Sequence, residues 1–244
     1  MDNSFIRMRN CSVTGVNTYN RAQGIKHFFL GKGHLISSAV PILKNISLDI
    51  NSGDRVAFIG RNGSGKSSLL KAIAGIYPVH SGKLEIKGTI GATIEMGFGL
   101  EFEMTGRKNI KLIMVYANML DSYTPEIEEK IIEFSELGDA IDRPVKGYSS
   151  GMLSRLTFAV NLFKDPQILL LDEIFATGDY HFVKKSIKYM TSKFLHTPIS
   201  ILVSHQEEMI EQLCNKAYFL DQGEIKNSGT PAQMLAELKK TKKD

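Results

Sequence analysis

The chain has 244 residues, 43% hydrophobic and 23% charged, a globular balance that excludes a disordered or fibrous protein. A formal charge of +4 is a mild excess, thinly spread until Lys239, Lys240, Lys242 and Lys243. Cys11 and Cys214 lie far apart with no Cys-x-x-Cys spacing, which fits a reducing compartment and excludes a structural zinc framework.

At the start, Asp2, Asn3, Arg7 and Arg9 interrupt the apolar run of a secretory leader. No stretch approaches the ~18 apolar residues of a spanning helix. A protein of this kind working at a membrane must therefore dock on a partner there. Residues 18–38 mix Phe28 and Phe29 with Lys and Gly and are long for a loop, a length that usually carries structure or function. Alternation at Ile46, Leu48 and Ile50 predicts an amphipathic strand ending at the turn Asn51–Asp54. The run Arg55–Ile59 predicts a buried strand leading straight into glycines. Leu69, Leu70, Ile73 and Ala74 follow at helical spacing, with Gly75 as the stop. Lys83–Ile86 and Thr89–Ile94 read as strands, and an acidic helical pattern runs from about Asn109 to Ser135.

Further on, a helix is expected over Gly151–Phe163, broken by Asp165-Pro166, then a strand over Ile168–Leu171. A helix near Val183–Leu195, a strand at Ile199–Val203 and a hairpin over Phe219–Ile225 complete the series. Strands alternating with helices imply a mainly parallel sheet. The basic tail reads as a solvated, frayed terminus, with contact to anionic lipid or phosphate as the sharper alternative.

Gly60-Arg61-Asn62-Gly63-Ser64-Gly65-Lys66-Ser67 matches the phosphate loop G-x-x-x-x-G-K-S between a predicted strand and a predicted helix. Glycines let the backbone curl until consecutive N–H groups face phosphate oxygens, the following helix adds the positive end of its dipole, and Ser68 counts with the loop as a nucleotide-binding residue. In this pattern Lys66 neutralises the β- and γ-phosphates of ATP and Ser67 is a Mg²⁺ ligand. A partner acid is expected at a strand end, and Ile168-Leu169-Leu170-Leu171-Asp172-Glu173 supplies it. Asp172 would hold Mg²⁺, and Glu173 would orient and deprotonate the attacking water.

With these motifs in place the chain resembles the ABC ATPases over nearly its whole length. Tyr148-Ser149-Ser150-Gly151-Met152 is similar to the Leu-Ser-Gly-Gly-Gln signature of that family. Asp179 stands where the family has its D-loop aspartate, and His205, after Ser204, resembles the switch histidine. The resemblance implies an α/β P-loop NTPase with a RecA-like core, an N-terminal antiparallel β subdomain and an inserted α-helical subdomain. It implies one nucleotide-binding domain over 1–244 with a helical lobe near 98–155. Two copies would pair head to tail, so that Ser149, Ser150 and Gly151 of one face the γ-phosphate held by the other. His205 would hydrogen-bond that phosphate and hold Glu173 and water in position.

Two family positions are departures. The usual Q-loop glutamine is absent near 93–96, where Glu95 is either its Mg²⁺-sensing stand-in or a surface acid. Tyr19 is either the aromatic that stacks on adenine or a packing residue.

The pattern Tyr-Ser-Ser-Gly-Met, the absence of proline after Glu173 and the run Met104–Ile110 resemble the ATPase subunits that export O-antigen, capsular polysaccharide or teichoic acid. In that subclass residues 18–38 would form a helix near the membrane face; the alternative is a solvated loop with Phe28 and Phe29 docked on the core. The chain resembles the short members, without a C-terminal carbohydrate-binding domain. The implied partners are a second copy, a separate transmembrane permease and, through it, a polyprenyl-diphosphate-linked glycan. The implied place is the cytoplasmic face of the inner membrane. Closure would move a docking cleft built from about Glu95 to Ser122, in which Phe98, Phe102 and Met104 are either partner contacts or lobe core. A small-solute importer is disfavoured by the missing glutamine and the altered signature. A DNA-associated ABC ATPase is disfavoured because no sustained heptads separate Lys66 from Ser149, so no nucleic-acid partner is expected.

Overall fold

The computed structural model describes residues 3–16, 39–93, 99–117, 119–172 and 180–241. In chain order these form β1 (Phe5–Val16), β2 (Ala39–Asn51), β3 (Arg55–Ile59), α1 (Lys66–Ile73), β4 (Ser81–Lys87) and β5 (Ile90–Thr93). The middle of the chain is helical: α2 (Gly106–Tyr116), α3 (Pro125–Ser135) and α4 (Ser150–Phe163), joined by short 3-10 turns. Then come β6 (Ile168–Asp172), α5 (Tyr180–His196), β7 (Ile199–Val203), α6 (Glu207–Leu213), β8 (Lys216–Asp221), β9 (Glu224–Gly229) and α7 (Pro231–Thr241).

The strands make two sheets, one in the order β2-β1-β4 and one in the order β5-β6-β7-β3-β8-β9. The first is antiparallel throughout. The second is parallel from β5 to β8, with only the β9 edge antiparallel. Away from their ends its central strands are apolar, apart from the buried Ser200 of β7, because both faces are covered. Val56 and Phe58 of β3, with Ile168 and Leu170 of β6, join the core shared with β1, β2 and α1. Ala57, Ile59, Leu169 and Leu171 point the other way, into the core shared with α2 to α7.

β1 and the first half of β2 are absent from the sequence expectation, and the reason is local. Asn10 and Asn45 both take left-handed backbone at φ 50°. The β1–β2 register shifts between Met8 and Cys11. The buried set therefore moves from Ile6 and Met8 to Cys11 and Val13, and the two-residue period that signals a strand is broken. Each bulge is held by a serine across the pair: Asn10 N–H donates to Ser47 Oγ at 2.9 Å, and Asn45 N–H to Ser12 Oγ at 3.1 Å.

The helical stretch expected from 109 to 135 is two helices rather than one. Thr124 caps α3 by accepting from Ile127 N–H at 3.3 Å, and Pro125 occupies the first helical turn, where its missing N–H costs nothing. The described part of the basic tail is helical rather than a frayed end. Lys239 and Lys240 lie in α7, and Lys239 pairs with Glu207 of α6 at 2.7 Å. Among the described residues no helix is long and apolar enough to cross a membrane. Residues 18–38, with Tyr19, Phe28 and Phe29, lie outside the described residues, as do Glu95, Phe98, Glu173, Asp179, Lys242 and Lys243.

Candidate nucleotide site

β3 delivers the chain to Gly60 in the middle of the parallel sheet. A Cβ on Gly60 would lie 2.2 Å from Leu220 O and 2.5 Å from Ser64 Oγ, so no side chain fits. Gly63 and Gly65 have φ of 79° and 106°, a left-handed backbone that favours glycine. Arg61, Asn62 and Gly63 are exposed at the loop's lip, while Ser64 is buried beneath it. Lys66 opens α1 and is 93% enclosed in effect, with only 7% of its surface exposed. Its Nζ turns back across the loop and donates to Gly60 O and Arg61 O, each at 3.0 Å. The ammonium is thereby held over a loop whose helix-start N–H groups have no intrahelical acceptor. Ser68, half-buried, completes that first turn.

Ser67 is exposed beside the loop, and its Oγ donates to Asp172 Oδ1 at 3.1 Å. That contact joins two motifs far apart in sequence. It forms because β3 and β6 run parallel with β7 between them, so their carboxyl ends share one edge. Asp172 is in register with Val203 of β7, so Ser204 and His205 emerge at the same edge. His205 is exposed there, and Ser204 Oγ accepts from Gln206 N–H at 3.1 Å, shaping the turn into α6. The carboxyl edge of a parallel α/β sheet is the usual ligand side of such folds.

The signature residues sit elsewhere, at the start of α4 in the helical lobe. Ser149 is the N-cap, accepting from Met152 N–H at 3.3 Å, and both Ser149 and Ser150 are exposed with Gly151 partly so. A capped helix start carrying a hydroxyl faces outward. This end of α4 is held by groups to which the motif reading assigns no structural role. Tyr148 Oη donates to Ala140 O at 2.6 Å, and burial pushes its phenol pKa up. A Cβ on Gly106 would stand 2.4 Å from that oxygen. Val145 N–H donates to Met104 O and Lys146 N–H to Phe102 O, each at 2.9 Å, tying the loop before α2 to the turn before the signature.

Asn109, fully buried, fixes the same loop. Its Nδ2 donates to Glu101 O at 3.0 Å, Met104 O at 3.3 Å and Thr105 O at 3.0 Å, and its Oδ1 accepts from Glu101 N–H at 2.7 Å. Arg107 pairs with Asp142 at 2.8 Å and Glu128 at 2.6 Å, which raises the guanidinium pKa and lowers that of Asp142. The sequence signals for Asn109 are its place in the run Met104–Ile110 and a polar residue on the apolar face of a helix. Phe102 and Met104 are 49% and 40% exposed, so they are surface rather than lobe core. Glu136, left-handed at φ 55°, ends α3 and pairs with Arg155 of α4 at 3.1 Å and Lys185 of α5 at 2.9 Å.

A parallel sheet with a glycine loop, an inward lysine and an acid at a neighbouring strand end defines a P-loop nucleotide-binding domain. A family model described as ABC transporter matches residues 43–176, and the chain belongs to that family. It is 43% identical to the O-antigen export system ATP-binding protein RfbE of Yersinia enterocolitica, over 76% of this chain and 78% of that protein. It is also 43% identical to the O-antigen export system ATP-binding protein RfbB of Myxococcus xanthus, over 82% of this chain but 46% of that protein. The teichoic acids export ATP-binding protein TagH of Enterococcus faecalis is 41% identical over 80% of this chain and 43% of its own length. The chain thus spans less than half of two of these three relatives. Among solved structures, an ATP-binding subunit of an ABC transporter gives a TM-score of 0.71 at 18% identity, covering 98% of this chain and 100% of that one. A dimeric ATP-binding cassette in a post-hydrolysis state bound to ADP and Pi gives 0.67 at 18%, over 93% and 98%. These two likenesses bear on the fold, and they match the expected P-loop architecture.

Proposed function

We propose that the chain is the ATP-hydrolysing subunit of an ABC exporter that moves a polyprenyl-diphosphate-linked polysaccharide, O-antigen in the first place. The observation that carries the ATPase reading is the meeting of Lys66, Ser67 and Asp172 at one sheet edge. Lys66 and the helix-start N–H groups offset phosphate charge, and Arg61, Asn62, Gly63, Ser64 and Gly65 wrap the phosphate chain. Ser67 Oγ and Asp172 Oδ1 are hard oxygen donors 3.1 Å apart at the lip of the loop, a set that suits Mg²⁺. Bound there, Mg²⁺ supplies charge neutralisation on the phosphates. Glu173 is the expected base for the attacking water, and His205 the expected donor to the γ-phosphate.

The exposed, capped start of α4 supports a composite site. A hydroxyl and a helix dipole pointing into solvent suit the γ-phosphate held by a second copy, and Asp179 is the expected D-loop aspartate of that junction. Outside the nucleotide edge, Phe102, Met104, Val115, Tyr116 and Leu120 are exposed apolar side chains of the loop before α2, of α2 itself and of the turn that follows. They suit a membrane permease subunit docked there, which would place the chain at the cytoplasmic face of the inner membrane. The O-antigen cargo is supported by relatives that include one matched over 78% of its length. Teichoic acid or capsule is the second reading, favoured by the 41% identity to a teichoic acids export protein. Depletion of the protein in a glycan-producing cell should leave lipid-linked glycan on the cytoplasmic side. An unchanged distribution would defeat the exporter reading.

A further inference from the structure

The phosphate loop is braced from behind by the β8–β9 hairpin, which the sequence predicts as a hairpin without a part in the site. Gln222 and Gly223 form its turn with φ of 47° and 80°, the left-handed pair that a two-residue hairpin requires. Gly223 N–H donates to Ser64 O at 3.0 Å, inside the loop. Gly223 O accepts from Lys44 N–H at 2.8 Å, on the β2 edge of the antiparallel sheet. One residue therefore joins the loop to the second sheet. The fit is close on every side. A Cβ on Gly223 would stand 2.3 Å from Ile42 O, and a Cβ on Gly65 would stand 2.9 Å from Leu43 Cδ2 and 3.5 Å from Gly223 Cα. Two residues before the turn, Leu220 O backs Gly60 at 2.2 Å from where its Cβ would be. Ser64 Oγ, by contrast, is buried with no hydrogen-bond partner among the described residues, so the buried end of the loop is held through its carbonyl.

We propose that the β8–β9 turn positions the phosphate loop, and that Gly223 is a positioning residue for nucleotide binding. This rests on reading residues 60–67 as the phosphate loop. A methyl group at 223 collides with a backbone oxygen in a left-handed conformation, so the turn must move. Moving it pulls Ser64 O and, with it, the orientation of the N–H groups that face phosphate. The effect falls on ATP affinity and not on the water-activating side of the site.

The test compares Gly223→Ala with Gly53→Ala in the full chain. Gly53 is also left-handed, at φ 94°, but a Cβ there meets nothing within 4 Å, and its N–H bonds to Pro198 O at 2.7 Å, remote from the loop. Mg·ATP affinity is measured by calorimetry with Glu173→Gln present to prevent turnover, and KM and kcat without it. Gly223→Ala should raise Kd and KM about tenfold, the scale of one strained contact. Its kcat should stay within about twofold, the split expected for lost uniform binding. Gly53→Ala should lower the melting temperature and leave Kd unchanged. Independently, Mg·ATP should slow amide exchange at Gly223 and not at Gly53 in the Glu173→Gln chain. The inference is overturned by a folded Gly223→Ala chain with unchanged Kd, by a loss confined to kcat, or by exchange at Gly223 indifferent to nucleotide. If Gly223→Ala does not fold, the exchange measurement decides alone. Failure of the Glu173→Gln chain to bind Mg·ATP would instead overturn the phosphate-loop reading, and this inference with it.

Discussion

The two candidate halves of the nucleotide site are built by different means. The phosphate-loop half is set by backbone: left-handed glycines, a lysine bonded to loop carbonyls, and a turn peptide that leaves no room for a side chain. The signature half is set by side chains, with Ser149 capping α4, Asn109 saturating a loop, Tyr148 and Arg107 pinning the turns, and Glu136 joining three helices. Backbone geometry is dictated by residue type at each position and tolerates almost no change. A side-chain network tolerates substitution at its exposed members and fails at its buried ones. The first half must therefore be legible as a motif, and the second can drift in sequence while keeping its shape.

The largest expected effect lies on the catalytic edge. Glu173→Gln should cut turnover by about 10²- to 10⁴-fold, the range for losing a general base, while Mg·ATP still binds. Phosphate release and nucleotide binding on one preparation check this. Asn109→Ala comes next and probes the side-chain half. It removes the buried amide that makes four hydrogen bonds to the loop before α2 and should cost about 3 kcal/mol in urea unfolding, with the ATP affinity of the folded chain preserved. An equal loss of affinity would erase the distinction between the halves.

A third effect is set by pH. Lys164, at the far end of α4, is buried, which lowers its pKa to about 8 from 10.5, with the charge of nearby Lys193 adding to the shift. Between those values the unfolded chain holds the proton and the folded chain does not, so stability should rise with pH across that interval. The gain is of order 3 kcal/mol, and Lys164→Met should flatten it in melts taken from pH 7.5 to 10.5. The smallest effect is expected at Ser186 of α5, whose hydroxyl is fully buried with no partner among the described residues. Ser186→Ala should raise stability by about 0.5–1 kcal/mol, because a desolvated group is removed.

Legibility in the sequence follows the same division. β3, the glycine loop and α1 are readable because a buried run, left-handed glycines and a lysine-serine pair leave few other structures. Asp172 is readable because a five-residue apolar strand ends in acid. β1 is unreadable by period because Asn10 inserts a bulge and moves the buried positions from Ile6 and Met8 to Cys11 and Val13. The break between α2 and α3 is encoded in Thr124-Pro125-Glu126, a cap signal masked by the apolar and acidic pattern on either side. Asn109 and Gly223 escaped because their roles depend on partners distant in sequence: no local rule says which carbonyls a buried amide will satisfy, or that a hairpin turn will meet residue 64.

The central claim is that each nucleotide pocket is completed by a second copy of the chain. Sedimentation velocity on the Glu173→Gln protein tests it most directly, with and without Mg·ATP and with Ser149→Arg added. The account predicts a monomer without nucleotide, a dimer with it, and a monomer again once Arg blocks the start of α4. A chain that binds Mg·ATP yet stays monomeric, or a dimer indifferent to Ser149→Arg, would contradict it.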